Sequence, residues 1–446
     1  MKLTSKKILF ITLPLFIVLT ISYAFNFIPL SKRSIASNEH INCTPEHHVC
    51  VMKTIFELED KQVPVKTISE SELPVNVKTS INSGLLWITK AQLQDGGWGT
   101  GLHARQDVHD PHAVAADPAT TSLVAMSLLR TGNSLTTGTY SKELSKATEF
   151  LLKIVEQWPN NQPRLTIADG TQPQIKLGQN IDAILTVQYF TTLLKYHQQH
   201  AWKTRIQNTL QKCVERIEKE QDADGGWKGG GWAPVLQSAL ADHALESAKD
   251  AGSKVDSKVM GRSKVYQKSN FDTATKSAVT GKAAGVMLYS LSSTSRSSAK
   301  EAMVAKGMIE NGKKDGTLKA EDKLDEAALI KVGATPSEAK ELVTGYMINE
   351  STRKQSARAD VMEGFGSNGG EELISYLMTG ESIQMQGAGN EWKKWYEMMS
   401  KKIIAIQGND GRWEGHHCIT SPVFCTAAAL LILSINNDLD ASIHFK

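Results

Sequence analysis

At 446 residues, with 41% hydrophobic, 22% charged and 7% aromatic residues, the chain has globular composition and enough length to bury a large core. Fifty basic residues against 47 acidic ones leave a formal charge of +3, without the strong basic excess of a nucleic-acid binder, so nucleic acid is not an expected partner. The absence of GxxxxGK[ST], GxGxxG and HExxH sets aside the common nucleotide-binding and zinc-protease classes.

The first element in chain order is apolar. Lys2, Lys6 and Lys7 precede an uncharged run from Ile8 to Leu30, and Lys32 with Arg33 closes it. As a helix this run is roughly 34 Å long, against about 30 Å of membrane hydrocarbon. It exceeds the usual signal-peptide core of about 7 to 15 residues and no A-x-A cleavage pattern follows, so residues 1–33 are expected to be an uncleaved signal-anchor. The lysine bias places the amino terminus in the cytoplasm and the bulk of the chain outside it, whether periplasmic, lumenal or extracellular. Secretion after cleavage is the alternative. Residues 34–77 form a juxtamembrane linker in which Cys43 and Cys50 are close enough for a small disulfide loop and His47 and His48 stand outside any repeat.

Beyond the linker the chain repeats itself. Gln92, Asp95 and Trp98, then Gln221, Asp224 and Trp227, then Gln407, Asp410 and Trp413, each spell Q-x-x-D-G-[GR]-W. Each turn follows an amphipathic stretch: Ile81, Leu85, Leu86 and Ile88; Ile206, Leu210, Val214 and Ile217; Trp395, Met399, Ile403 and Ile406. This spacing predicts helices, which the Asp-Gly step ends because glycine accepts the left-handed conformation of a tight turn. A second apolar helix follows each Trp, at Thr121–Leu129, Val235–Ala248 and Val423–Ile435. Further helical patterns at Leu144–Glu156, Ile181–His197, Phe271–Leu291 and Glu371–Met378 bring the expected total to about ten to twelve. Cys213 reads as a small buried hydrophobe, while Cys418 and Cys425 can meet only if Pro422 bends the chain.

Helices that end in Gln, a short gap and Gly-x-Trp resemble the repeats of squalene and hopene cyclases and of protein prenyltransferases. That resemblance, not the periodicity, implies an all-α fold: an α/α toroid, a double ring of helical hairpins, over residues 78–435, with 436–446 as a tail. It also implies that the Gln and Trp of the turns fasten helices together. The D-x-D-D acid of the cyclases and the D-D-x-x-D of ionising terpene synthases are both missing, so squalene cyclisation is not expected.

The chemistry-bearing residues cluster after the turns. His103, Asp107, His109, Asp110, His112 and Asp117 follow Trp98, and Glu414, His416, His417 and Cys418 follow Trp413. In a closed ring the first and last repeats are neighbours, so these two loops are expected to meet over one mouth. Imidazole, thiol and carboxylate are the ligands of zinc or a similar divalent ion, with His416, His417 and Cys418 as its candidates; a solvated histidine cluster is the alternative. Glu371 and Glu372 follow G-F-G-S-N-G-G. They suit either the first turn of a helix capped by Asn368 or Gly369, or a pair of ligands or bases facing the ring interior.

Residues 250–268 and 311–331 read as polar, solvated insertions. Two functions fit the whole. One is a non-catalytic scaffold that binds a partner or a small apolar or glycan ligand in the central cavity. The other is a lyase, transferase or hydrolase acting on an isoprenoid, lipid or glycan at the toroid mouth, with or without a metal.

Overall fold

The computed structural model describes residues 73–436, apart from 160–161, 163, 167, 197–201, 365–367 and 388. The expected anchor over 8–30, the linker cysteines Cys43 and Cys50, His47, His48 and the tail after Asn436 lie outside the described residues. Among the described residues no helix is long and apolar enough to cross a membrane.

The described residues are mostly helical. In order come α1 (Val75–Lys90), α2 (Pro118–Arg130), α3 (Ser141–Gln157), α4 (Gln172–Lys176), α5 (Ile181–Tyr196), α6 (Lys203–Lys219), α7 (Pro234–Asp250) and α8 (Ser257–Lys268). After a short hairpin of β1 (Phe271–Asp272) and β2 (Ser277–Ala278) follow α9 (Met287–Ser297), α10 (Ala299–Lys314), α11 (Glu326–Lys331) and α12 (Pro336–Ser356). The last four are α13 (Ala359–Met362), α14 (Gly370–Met385), α15 (Asn390–Ala405) and α16 (Pro422–Leu433).

Two kinds of helix alternate. Every residue of α2, α14 and α16 is buried, as are all but the ends of α7. Helices surrounded on all sides need no polar face, which is why their amphipathic pattern is weak. They pack in sequence: α2 on α5, α5 on α7, α7 on α9, α9 on α14, α14 on α16, and α16 again on α2. By contrast α1, α3, α6, α8 and α15 bury one stripe each, such as Ile206, Leu210, Cys213, Val214 and Ile217 of α6. They lie against α16, α2, α5, α7 and α14 in turn.

The three Trp turns have one construction. Trp98, Trp227 and Trp413 are fully buried, and their indole N–H groups donate to the carbonyls of Ile88, Ile217 and Ile403 at 2.7, 2.7 and 2.8 Å. Their backbone N–H groups donate to hydroxyls of the following helix, Thr121, Ser238 and Thr426, each at 2.9 Å. The repeat glutamines act between helices. Gln92 donates to the Glu143 carbonyl of α3, Gln221 to Val259 of α8 and Gln407 to Ser80 of α1, while the same amide also holds the carbonyl of Gly96, Gly225 or Gly411. Those three glycines sit at φ 94, 90 and 96°, which side chains rarely adopt. A Cβ there would press to within 2.7, 2.2 and 2.5 Å of backbone oxygens of Lys146, Arg262 and Ser83 on the neighbouring helix.

Several elements differ from expectation. Among the described residues sixteen α-helices replace ten to twelve, because short ones such as α4, α11 and α13 are too brief to show periodicity. The pattern from Phe271 to Leu291 is a hairpin followed by α9, since Gly281 and Gly285 interrupt it. The charged stretch 250–268 is mostly α8, whose few buried residues, Val259, Ser263, Tyr266 and Gln267, face α7. Within 311–331, α10 runs on to Lys314 and α11 begins at Glu326. Cys213 is buried, and Cys418 and Cys425 are free thiols.

Candidate functional site

The loops after Trp98 and Trp413 touch. His109 Nδ1 lies 3.6 Å from the Glu414 carboxylate, and the Gln106 amide donates to the Cys418 carbonyl. Gln172 at the start of α4 ties the same region together: its oxygen accepts from the N–H of Thr420 and Ser421 at 2.8 and 3.1 Å, and its amide donates to Thr100 at 3.0 Å.

Most of the first loop serves its own architecture. Asp107 pairs with Arg105 at 2.9 Å in solvent, and Asp110 accepts from the His112 N–H at 2.9 Å to cap a 3-10 turn over Pro111–Ala113. His103 starts another such turn, and its pKa is lowered by burial and by Lys176. Asp117 caps α2, accepting from the N–H of Thr120 at 2.8 Å and of Thr100 at 3.0 Å. Burial pushes its pKa up, and a second buried acid, Asp182 of α5, is raised to about 7 by burial and by Asp117.

The concentrated chemistry is at the start of α14. Glu371 and Glu372 are both fully buried. Glu372 is held three ways: the Gly369 N–H donates to it at 2.9 Å, the Tyr289 hydroxyl of α9 donates to it, and His417 Nε2 lies 3.6 Å away. Glu371 accepts one hydrogen bond, from the Ile419 N–H at 3.2 Å, and its Oε1 has no hydrogen-bond partner in the protein. Burial, and then the adjacent Glu372, raise its pKa to about 7. The Cys418 thiol lies beside Glu371 and is pushed up to about 12, by burial first and then by that carboxylate. Cys418 also has φ 61°, a left-handed conformation uncommon outside glycine. His417, with its side chain 23% exposed, and Cys418, half-buried, are the accessible neighbours of the carboxylate pair.

His416, His417 and Cys418 do not form the expected metal triad. Among the described residues, three of their donor atoms do not come within 4.8 Å of one another. The left-handed turn at Cys418 takes its thiol to Glu371, and His417 faces Glu372. The His416 side chain is exposed, while its backbone N–H donates to Asn368 at 2.7 Å.

Tyr289 and Gln172 belong to this site without any signal in the sequence, because each reaches it from a helix remote in the chain. Tyr376 and Lys402 flank it: Lys402 donates to the Tyr376 hydroxyl and to the Met362 carbonyl, both at 2.8 Å. The arrangement is suited to proton transfer, with one acid titrating near neutrality beside a firmly held carboxylate. No family model and no curated protein matches the chain.

Proposed function

We propose that the protein is a membrane-anchored, extracytoplasmic α/α toroid related to the squalene cyclase and prenyltransferase repeat proteins, carrying a general acid–base centre for hydrolysis or lysis of a glycan at one mouth. The toroid reading is supported by the cyclic packing of α2, α5, α7, α9, α14 and α16 inside the amphipathic helices. The anchor reading rests on the uncharged run Ile8–Leu30.

The observation that carries the catalytic reading is Glu371, titrating at about 7 with one oxygen unpartnered, next to a Glu372 held by Gly369, Tyr289 and His417. In this reading Glu371 delivers a proton to the leaving oxygen as its bond to the sugar carbon breaks, water forms the new bond to that carbon and returns a proton to Glu371, and Glu372, kept in place by its partners, balances the developing positive charge. The polar neighbours of the two acids, Gln106, Gln172 and His417, favour hydroxyl-rich substrates over isoprenoids. The scaffold reading keeps one specific support: both carboxylates are fully buried and Glu372 also caps α14.

Reducing-end release from a panel of polysaccharides by the full-length protein in detergent separates the two readings. The catalytic one expects turnover that Glu371→Gln lowers by about 10²- to 10⁴-fold with glycan binding retained. Binding without turnover in the wild type leaves the scaffold as the better account.

A further inference from the structure

A second cluster lies on α7, on the side covered by α8 and α9. Asp242, His243 and Glu246 each place a donor atom within 4.8 Å of the others'. They are 3, 1 and 9% exposed. Ser263 of α8 donates its hydroxyl to Asp242, while His243 Nδ1 stands 3.5 Å from the Glu246 carboxylate and 3.5 Å from Arg296.

The surrounding cations also lie near other carboxylates. Arg296 lies 3.6 Å from Glu381, Lys300 lies 3.5 Å from Asp250, and Lys264 lies 3.4 Å from Glu341.

A small cavity of about 20 Å³ adjoins Asp242, room for one water molecule or ion. Its wall carries Gln267, 6% exposed, with neither amide atom bonded within the protein, and Thr294, 1% exposed, with its hydroxyl likewise unbonded. Ser297 Oγ and Glu301 Oε2 are in the same condition. Buried polar atoms left unmet cost about 1 to 3 kcal/mol each, so a wall with several of them points to a polar occupant. Lys264, Lys268 and Glu301 also line a larger groove of about 620 Å³, and Glu246 is in its wall, which gives an ion a path of entry.

We propose that Asp242, His243 and Glu246 form a binding site for a divalent transition ion, zinc or manganese, entered from the groove beside α8. One imidazole with two carboxylates is the donor set of such ions, whereas calcium and magnesium take oxygens alone. Donors about 2.1 Å from a tetrahedral ion stand roughly 3.4 Å apart, so a closure of at most about 1.4 Å brings the three donors to one ion. Gln267 and Glu301 lie on the cavity side, where they would meet the ion's remaining ligand or its water. The site is independent of the chemistry proposed at Glu371.

The test uses full-length protein in detergent, stripped with chelator and titrated calorimetrically with ZnCl₂ and MnCl₂. The wild type should take up one equivalent, with Asp242→Asn and His243→Gln each weakening it by about tenfold or more. A His417→Ala, Cys418→Ser double variant should keep the same stoichiometry. Imidazole nitrogen coupling in the electron spin resonance of bound Mn²⁺, measured on the wild type, decides the matter even where a variant fails to fold. Absence of stoichiometric Zn²⁺ or Mn²⁺ binding, binding without nitrogen coupling, or equal affinity for Mg²⁺ and Ca²⁺ overturns the proposal.

Discussion

Ser80 and Gln407 exchange two hydrogen bonds across 327 residues of chain: the Ser80 hydroxyl donates to the Gln407 side-chain oxygen at 2.6 Å, and the Gln407 amide donates to the Ser80 carbonyl at 3.0 Å. They join the end of α15 to α1. Gln407→Ala breaks both bonds and also releases the Gly411 carbonyl, so a loss of about 1 to 3 kcal/mol is expected. Gly411→Ala should be at least as damaging, because φ is 96° there and the new Cβ meets the Ser83 oxygen at 2.5 Å. Urea denaturation followed by circular dichroism measures both; wild-type midpoints would refute the clamp.

Glu371 makes stability depend on pH in a defined direction. Its folded pKa, about 7, lies above the ordinary 4.5, so between these values the folded state holds a proton that the unfolded state has lost. Its contribution therefore becomes less favourable as pH rises from about 4.5 to 7 and is constant beyond, a cost of about 3 kcal/mol at about 1.4 kcal/mol per unit. Glu371→Gln should gain on the wild type at pH 8 relative to pH 4. A difference between the two proteins that does not change with pH would show that Glu371 titrates normally.

Cys418 should be sluggish despite its partial exposure. With a pKa pushed up to about 12 from an ordinary 9, its thiolate fraction near pH 8 is lower by roughly a thousandfold than that of a free thiol. Iodoacetamide labelling followed by peptide mass spectrometry should find it far slower than a model peptide, and faster in Glu371→Gln, which removes one of the charges that raises it. Rapid labelling of the wild type would contradict the placement of this thiol against the acid.

Glu381 of α14 lies between two buried guanidinium groups, 3.4 Å from Arg130 of α2 and 3.6 Å from Arg296 of α9. All three side chains are at most 2% exposed. Glu381→Ala takes the shared carboxylate from both arginines, and an expected loss of about 3 to 5 kcal/mol follows. A thermal midpoint within a degree or two of the wild type would show that water or another group compensates.

The two loops were legible as chemistry because histidines and acids stand out after each Trp turn, and Glu371 and Glu372 were legible as a pair. Their geometry was not. Cys418 sits beside Glu371 in a left-handed backbone conformation that the sequence Glu414-Gly415-His416-His417-Cys418 does not announce. Tyr289 reaches Glu372 over 83 residues, and Asp242 draws its surroundings from α8, α9 and α10, separations at which local pattern carries no information.

By itself the sequence determined the helices on either side of each Asp-Gly-x-Trp turn, the turns themselves and the residues that lock them, because periodic apolar spacing and a glycine at positive φ are local requirements that local sequence must satisfy. Tertiary structure alone decided which helices are buried on every side, that Gln407 fastens α15 to α1, and how Glu371 titrates. Those properties come from desolvation and from neighbours contributed by distant segments, and neither exists until the chain has packed.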